Sequence, residues 1–198
     1  MTKKRTTVAM AVAFALSAAP LSAAYKLMPA GTPTVVAKSN LKVTPPEAWN
    51  KLPAMVGKKA EAWTLDGLNL NEVTFFSGIA SGETLVKDRN KKDKPLPKFS
   101  ATMLPPDVVS LYETSLRGVT DTANYTTDLV EPAGFAGHQG FRFAFSYTVA
   151  DEVKRKGEGI GAIIGGKLYM MVFAAPQTHY FDRDVEKFRA IAATAQVG

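Results

Sequence analysis

His138 and His179 are the only imidazoles in the chain, so acid–base or nucleophilic chemistry built on histidine must use one of them. A serine nucleophile of the hydrolase type would sit in a Gly-x-Ser-x-Gly elbow. The chain has none, and Ser77-Gly78 and Ser81-Gly82 read as turns. His179-Tyr-Phe-Asp-Arg-Asp184 offers one imidazole and two carboxylates to a divalent metal. On a helix Asp182 lies one turn from His179 but Asp184 points elsewhere, so both acids read instead as first-turn residues that complement the helix dipole. His138, between Gly137 and Gln139, reads as a loop residue. Gly157-Glu-Gly-Ile-Gly-Ala162 fits the relaxed dinucleotide pattern Gly-x-Gly-x-x-Ala. It follows Val153-Lys-Arg-Lys156 rather than an apolar strand and precedes a glycine hairpin rather than a helix, so the context that lets such a loop cradle phosphates is missing. These glycines read as places of close aromatic approach, with Tyr147 or Trp63 as neighbours. Asp66, Glu72, Asp128, Glu131, Asp151 and Glu152 could supply a carboxylate pair for glycoside cleavage, but no spacing singles out two of them. The expectation is a chain with no catalytic residue, no cofactor and no metal.

The elements that must position these groups read as follows. Leu41-Lys-Val-Thr44 alternates as a short strand and stops at Pro45-Pro46. Glu47 to Leu52 reads as a turn or a single helical turn with Trp49 and Leu52 inward. Glu61 to Leu65 and Leu70 to Ile79 are strands around the turn dipeptide Asp66-Gly67, and Gly82 to Val86 is a short edge strand. Pro105 to Arg117 is a helix, with prolines at its entry, Asp107 in the first turn, Val109, Tyr112 and Leu116 on one face, and Gly118 at its stop. Asn124 to Val130 is β-prone, and Pro132 to Gly140 is a loop. In the next strand Phe141, Phe143, Phe145 and Tyr147 alternate with Arg142, Ala144, Ser146 and Thr148, which puts four aromatics on one face. That row fits a helix-covered core better than the wall of an apolar pocket. Gly165-Gly166 joins two further strands in a tight hairpin, and the second, Lys167 to Ala175, is apolar on both faces, so it belongs at the centre of a sheet. A closing helix carries Phe181, Val185, Phe188, Ile191, Ala192 and Ala195 on one stripe.

The chain has 198 residues, 46% of them hydrophobic, and 24 Lys plus Arg against 18 Asp plus Glu, a formal charge of +6. That length and composition exclude disorder, collagen and coiled coil for the whole chain and fit one domain. Residues 1–24 have the basic start (Lys3, Lys4, Arg5), the apolar run and the small-residue end of a secretory signal peptide, with cleavage expected before Tyr25. The run is too short to span a bilayer, and no later segment is long and apolar enough to do so. Three basic residues and no acidic ones lie in the leader, leaving 21 against 18. Residues 87–98 hold six basic residues, Lys87, Arg89, Lys91, Lys92, Lys94 and Lys98, against two acidic ones, so the rest of the mature chain is close to neutral. A neutral body with its charge in one proline-bounded loop is unlike a nucleic-acid binder, which needs a basic face. Zero cysteines exclude disulfides, thiolate chemistry and a cysteine-attached lipid. Residues 25–39, with Pro29, Gly31 and Pro33, read as a flexible spacer, and 40–198 as a single α+β domain.

The order of elements, with NLKVTPPEAWNKL at Asn40–Leu52, the central hairpins, the strand KLYMMVFAAP and the closing helix DRDVEKFRAIAATAQV, resembles the PsbP-like fold superfamily. Within it, the HYFDRD ending is most similar to uncharacterised proteobacterial exported proteins, often lipoproteins. The superfamily includes the extrinsic photosystem II protein, a Ran-binding nuclear protein and bacterial exported proteins. The resemblance implies a mainly antiparallel sheet of about six strands sandwiched by helices, and a binding or assembly role. The chain departs from lipoprotein relatives in having no cysteine to acylate.

The functional expectation is an exported, non-enzymatic binding or assembly protein of the bacterial envelope, periplasmic or secreted. Its partner would be an envelope protein or an anionic lipid surface, met through Lys87, Arg89, Lys91, Lys92, Lys94 and Lys98, with no nucleic acid. The alternatives are a small exported hydrolase or ligand-binding protein with an internal pocket, and a peripheral membrane protein that docks through loop 87–98.

Overall fold

The computed structural model describes residues 25–53, 56–88 and 92–198. The proposed leader therefore lies outside the described residues, as do Arg89 and Lys91. Eight strands form one fully antiparallel sheet: β1 (Lys26–Met28), β4 (Trp49–Lys51), β5 (Ala60–Thr64), β6 (Glu72–Ile79), β7 (Asn124–Phe135), β8 (His138–Thr148), β9 (Lys154–Ile164) and β10 (Lys167–Pro176). Their spatial order is β1-β4-β5-β6-β10-β9-β8-β7. A second sheet of three short strands, β2 (Thr34–Val35), β3 (Leu41–Val43) and β11 (Gln196–Val197), runs in the order β11-β3-β2.

β10 lies between β6 and β9, inside the sheet as its two apolar faces require. Leu168, Met170 and Val172 enter one core, and Met171, Phe173 and Ala175 the other. Gly165 and Gly166 make the β9–β10 turn with φ of 57° and 73°, the paired left-handed values a two-residue hairpin of this twist needs. Helix α1 (Pro105–Arg117) covers one face, setting Val108, Val109, Leu111 and Tyr112 against Phe141, Phe143 and Phe145. The Tyr112 ring centre lies 5.8 Å from that of Phe143 and 5.4 Å from that of Phe145, so the aromatic row is a helix-covered core. Helix α2 (Asp182–Ala192) covers the other face together with the small sheet, and Phe188 stacks on Phe173 at 5.8 Å. A single π-turn, Gln177–Phe181, joins β10 to α2, with His179 at φ 72° and ψ −55°.

Several expectations are corrected. The main sheet has eight strands rather than about six. The additional pair is β1, from the segment expected as a spacer, and β4, from the segment expected as a helical turn. Each is three residues long, too short to show a period, and each is fixed by one buried anchor: Met28 at 6% exposure and Trp49 at 0%. Residues 82–86 form a turn and irregular chain instead of an edge strand, although Leu85 is buried. β7 and β8 continue through the expected loop to a turn at Ala136 and Gly137. Pro132 is tolerated there because β7 is the outermost strand, where a missing N–H need not break a ladder. Gly118 ends α1 in right-handed helical geometry, with φ −74°, so it is not the left-handed cap that a terminal glycine usually supplies. A methyl group there would overlap Leu96, which explains the glycine by close approach.

Candidate functional site

Three chain segments meet at the edge of the α1 layer and leave a cleft of about 550 Å³. The first is the connection from β4 to β5, carrying Gly57, Lys58 and Lys59. The second follows β6 and carries Glu83, Thr84, Val86, Lys87 and Asp88, and the third is Pro95, Leu96 and Lys98. Backbone bonds lock them together: Lys87 N donates to Val56 O at 2.8 Å, Gly82 N to Phe99 O at 2.8 Å, and Phe99 N to Glu83 O at 2.9 Å. Gly57 permits the closest approach, since a Cβ there would lie 2.8 Å from Leu85 O. Ile79 and Leu96 are buried beneath the cleft and Val86 is half-buried beside them.

The charges around this apolar floor are unevenly matched. Lys59 donates to Glu83 Oε2 at 2.7 Å and to Gly78 O at 3.0 Å, and Ala80 N reaches the same carboxylate at 2.8 Å. The Lys59 hydrogen bond, helped by that amide, holds the Glu83 carboxyl below the usual carboxylate range. Asp88 accepts from Leu96 N at 3.1 Å. Lys58, Lys87 and Lys98 are exposed and form no ion pair among the described residues. The cleft thus has one internally neutralised pair, the Asp88 carboxylate held by the Leu96 amide, and three cations facing solvent.

Of the six residues expected from sequence, Lys87 and Lys98 line the cleft, whereas Lys92 and Lys94 are exposed on the loop away from its lining. Sequence reasoning missed Lys58 and Lys59. Their signal was the adjacent lysine pair just before a predicted strand whose hairpin partner leads into the basic loop.

The other candidate groups are engaged in structural contacts. Asp184 is fully buried in the first turn of α2 and accepts from Asn71 Nδ2 at 2.8 Å, from Arg183 and from Lys187 at 3.2 Å. Burial alone would raise its pKa, but the hydrogen bonds from Arg183, Asn71 and Lys187 outweigh it and hold the carboxyl below its usual range. Arg183 also bridges to Asp66, stacks over Tyr180 at 5.0 Å and approaches His179. Glu131 pairs with Arg142 and Asp151 with Arg155, so three of the six candidate carboxylates are matched to arginines. Gly157, Gly159 and Gly161 lie within β9, not in a phosphate-binding loop. Their close neighbours are Phe145 over Gly157 and Phe143 over Gly159, instead of the expected Tyr147 or Trp63. Among the described residues no three His, Asp or Glu side chains gather as a metal site, and no helix is long and apolar enough to cross a membrane.

No family model matches the chain, and no curated protein does. Solved structures do. The solution structure of cyanobacterial PsbP (CyanoP) from Synechocystis sp. PCC 6803 matches with a TM-score of 0.53 at 14% identity, over 92% of this chain and 99% of that one. LpqN, involved in cell envelope biogenesis of Mycobacterium tuberculosis, matches with a TM-score of 0.36 at 10% identity, over 87% of this chain and 90% of that one. The fold is PsbP-like: a mainly antiparallel sheet between two helical layers.

Proposed function

We propose that this chain is an exported, non-enzymatic binding or assembly protein of the bacterial envelope that docks on an anionic partner through the lysines of loop 87–98 and the cleft beside it. One observation carries the reading: Lys58, Lys87 and Lys98 line a single cleft without ion-pair partners among the described residues, while its two acids are held by Lys59 and by the Leu96 amide. Cations that line one cleft raise the local concentration of anions and set specificity by charge. The basic start, apolar run and small-residue end of residues 1–24 support an exported location, periplasmic or secreted. A non-enzymatic role is supported by the pairing of Asp184 and of three of the six candidate carboxylates, Asp66, Glu131 and Asp151, with arginines.

The test is capture of envelope components by the immobilised mature protein. Wild type is expected to retain a partner at low salt and release it as salt screens the contact. A variant with Lys87, Lys92, Lys94 and Lys98 all changed to Gln is expected to retain none. Equal retention by the variant, or capture that salt leaves unchanged, removes the electrostatic docking surface.

A further inference from the structure

We propose that the cleft is a binding site for a phosphate-bearing amphiphile, with the phosphate on Lys58, Lys87 and Lys98 and the first methylenes of its chain on Ile79, Val86 and Leu96. The inference rests on the docking reading above and names the chemistry of its ligand. Three features select this class. The cavity, at about 550 Å³, lies in the range of small-molecule sites and is far smaller than a protein-sized footprint. Its floor is apolar and its rim carries ammonium groups, the division a lipid needs at the junction of head and chain. Finally, several of its main-chain donors are already satisfied: Gly82 N by Phe99 O, Lys87 N by Val56 O, and Leu96 N by the Asp88 carboxylate. An extended acidic peptide gains affinity by adding main-chain hydrogen bonds to such groups, and here they are spent. What remains for recognition is charge and apolar surface.

The test is calorimetric titration of the full mature chain with a short-chain phosphatidate below its micellar concentration, with inorganic phosphate, and with the matching phosphatidylcholine. The expected result is saturable one-to-one binding of the phosphatidate, with phosphate and phosphatidylcholine each at least about tenfold weaker. Changing Lys58, Lys87 and Lys98 to Gln, all on exposed side chains, is expected to weaken the phosphatidate by about 100-fold. Val86→Ser is expected to weaken it while leaving phosphate unaffected. Phosphate binding as tightly as phosphatidate overturns the amphiphile and leaves a plain anion site. Binding that survives the triple change but falls on changing Lys92 and Lys94 overturns the cleft in favour of surface adsorption. If no phosphatidate binds while envelope capture persists, the inference fails and the docking reading stands. If capture fails too, both fall.

Discussion

Gly157 and Gly159 are glycines because Phe145 and Phe143 lie directly over them from the next strand, as the register Phe145↔Gly157 and Phe143↔Gly159 requires. Covering a strand glycine with an aromatic ring repairs the weak packing that glycine otherwise leaves in a sheet. Gly157→Ala is therefore expected to destabilise the fold by about 1–3 kcal/mol through overpacking, measured by urea denaturation. Combining it with Phe145→Leu is expected to cost less than the two single changes added, because the smaller side chain makes room. Additive costs would show that the ring does not occupy that space. Asp184 makes a separate prediction. Its carboxyl is held below the usual range in the folded chain, so the unfolded chain binds the proton at higher pH than the folded one. The stability it contributes is present above about pH 4 and is lost as pH falls through the lower folded value. Asp151, held at about 2 by its hydrogen bonds from Arg155 and from Val153 N, acts in the same direction. Asp184→Asn should flatten the acid limb of a stability-against-pH curve and lower the plateau at neutral pH. A variant with the wild-type acid limb would show that Asp184 does not contribute to it.

At the scale of elements, legibility followed length and periodicity. α1, the β9–β10 hairpin and α2 were readable because each spans several periods or carries a turn dipeptide whose conformation only glycine adopts easily. β1 and β4 were not, because three residues cannot show alternation and their assignment depends on neighbours far away in the chain. The reach of β7 through Pro132 was hidden because the residue's tolerance depends on its being at the sheet edge, which only the assembled sheet reveals. The candidate site was half legible: Lys87 and Lys98 stand out in a charge run, whereas Lys58 and Lys59 join them only through the packing of the β4–β5 connection on the segment after β6. The N-terminal segment carries the clearest prediction at this scale. Residues 25–39 bury Met28 and Val36 and supply Ala37 N at 2.7 Å to the buried Glu61 carboxylate. A chain beginning at Asn40 should melt at a lower temperature than one beginning at Tyr25, since it uncovers one core and removes a donor from a buried acid. An unchanged melting temperature would return that segment to the role of a spacer.

For the whole molecule, the formal charge of +6 divides into three basic residues in 1–24, a nearly neutral body and one basic region at 87–98. The fold then adds Lys58 and Lys59 to that region and neutralises Lys59 by pairing it with Glu83. The likeness to cyanobacterial PsbP is one of fold, an antiparallel sheet covered by helices on both faces. The central claim is that the cleft lysines, more than the loop tip, hold the partner. The most direct measurement compares capture of envelope components by wild type, by the Lys58, Lys87, Lys98→Gln triple and by the Lys92, Lys94→Gln pair, at matched folding stability. Loss of capture in the triple with only partial weakening in the pair is predicted. Full capture by the triple would contradict the account.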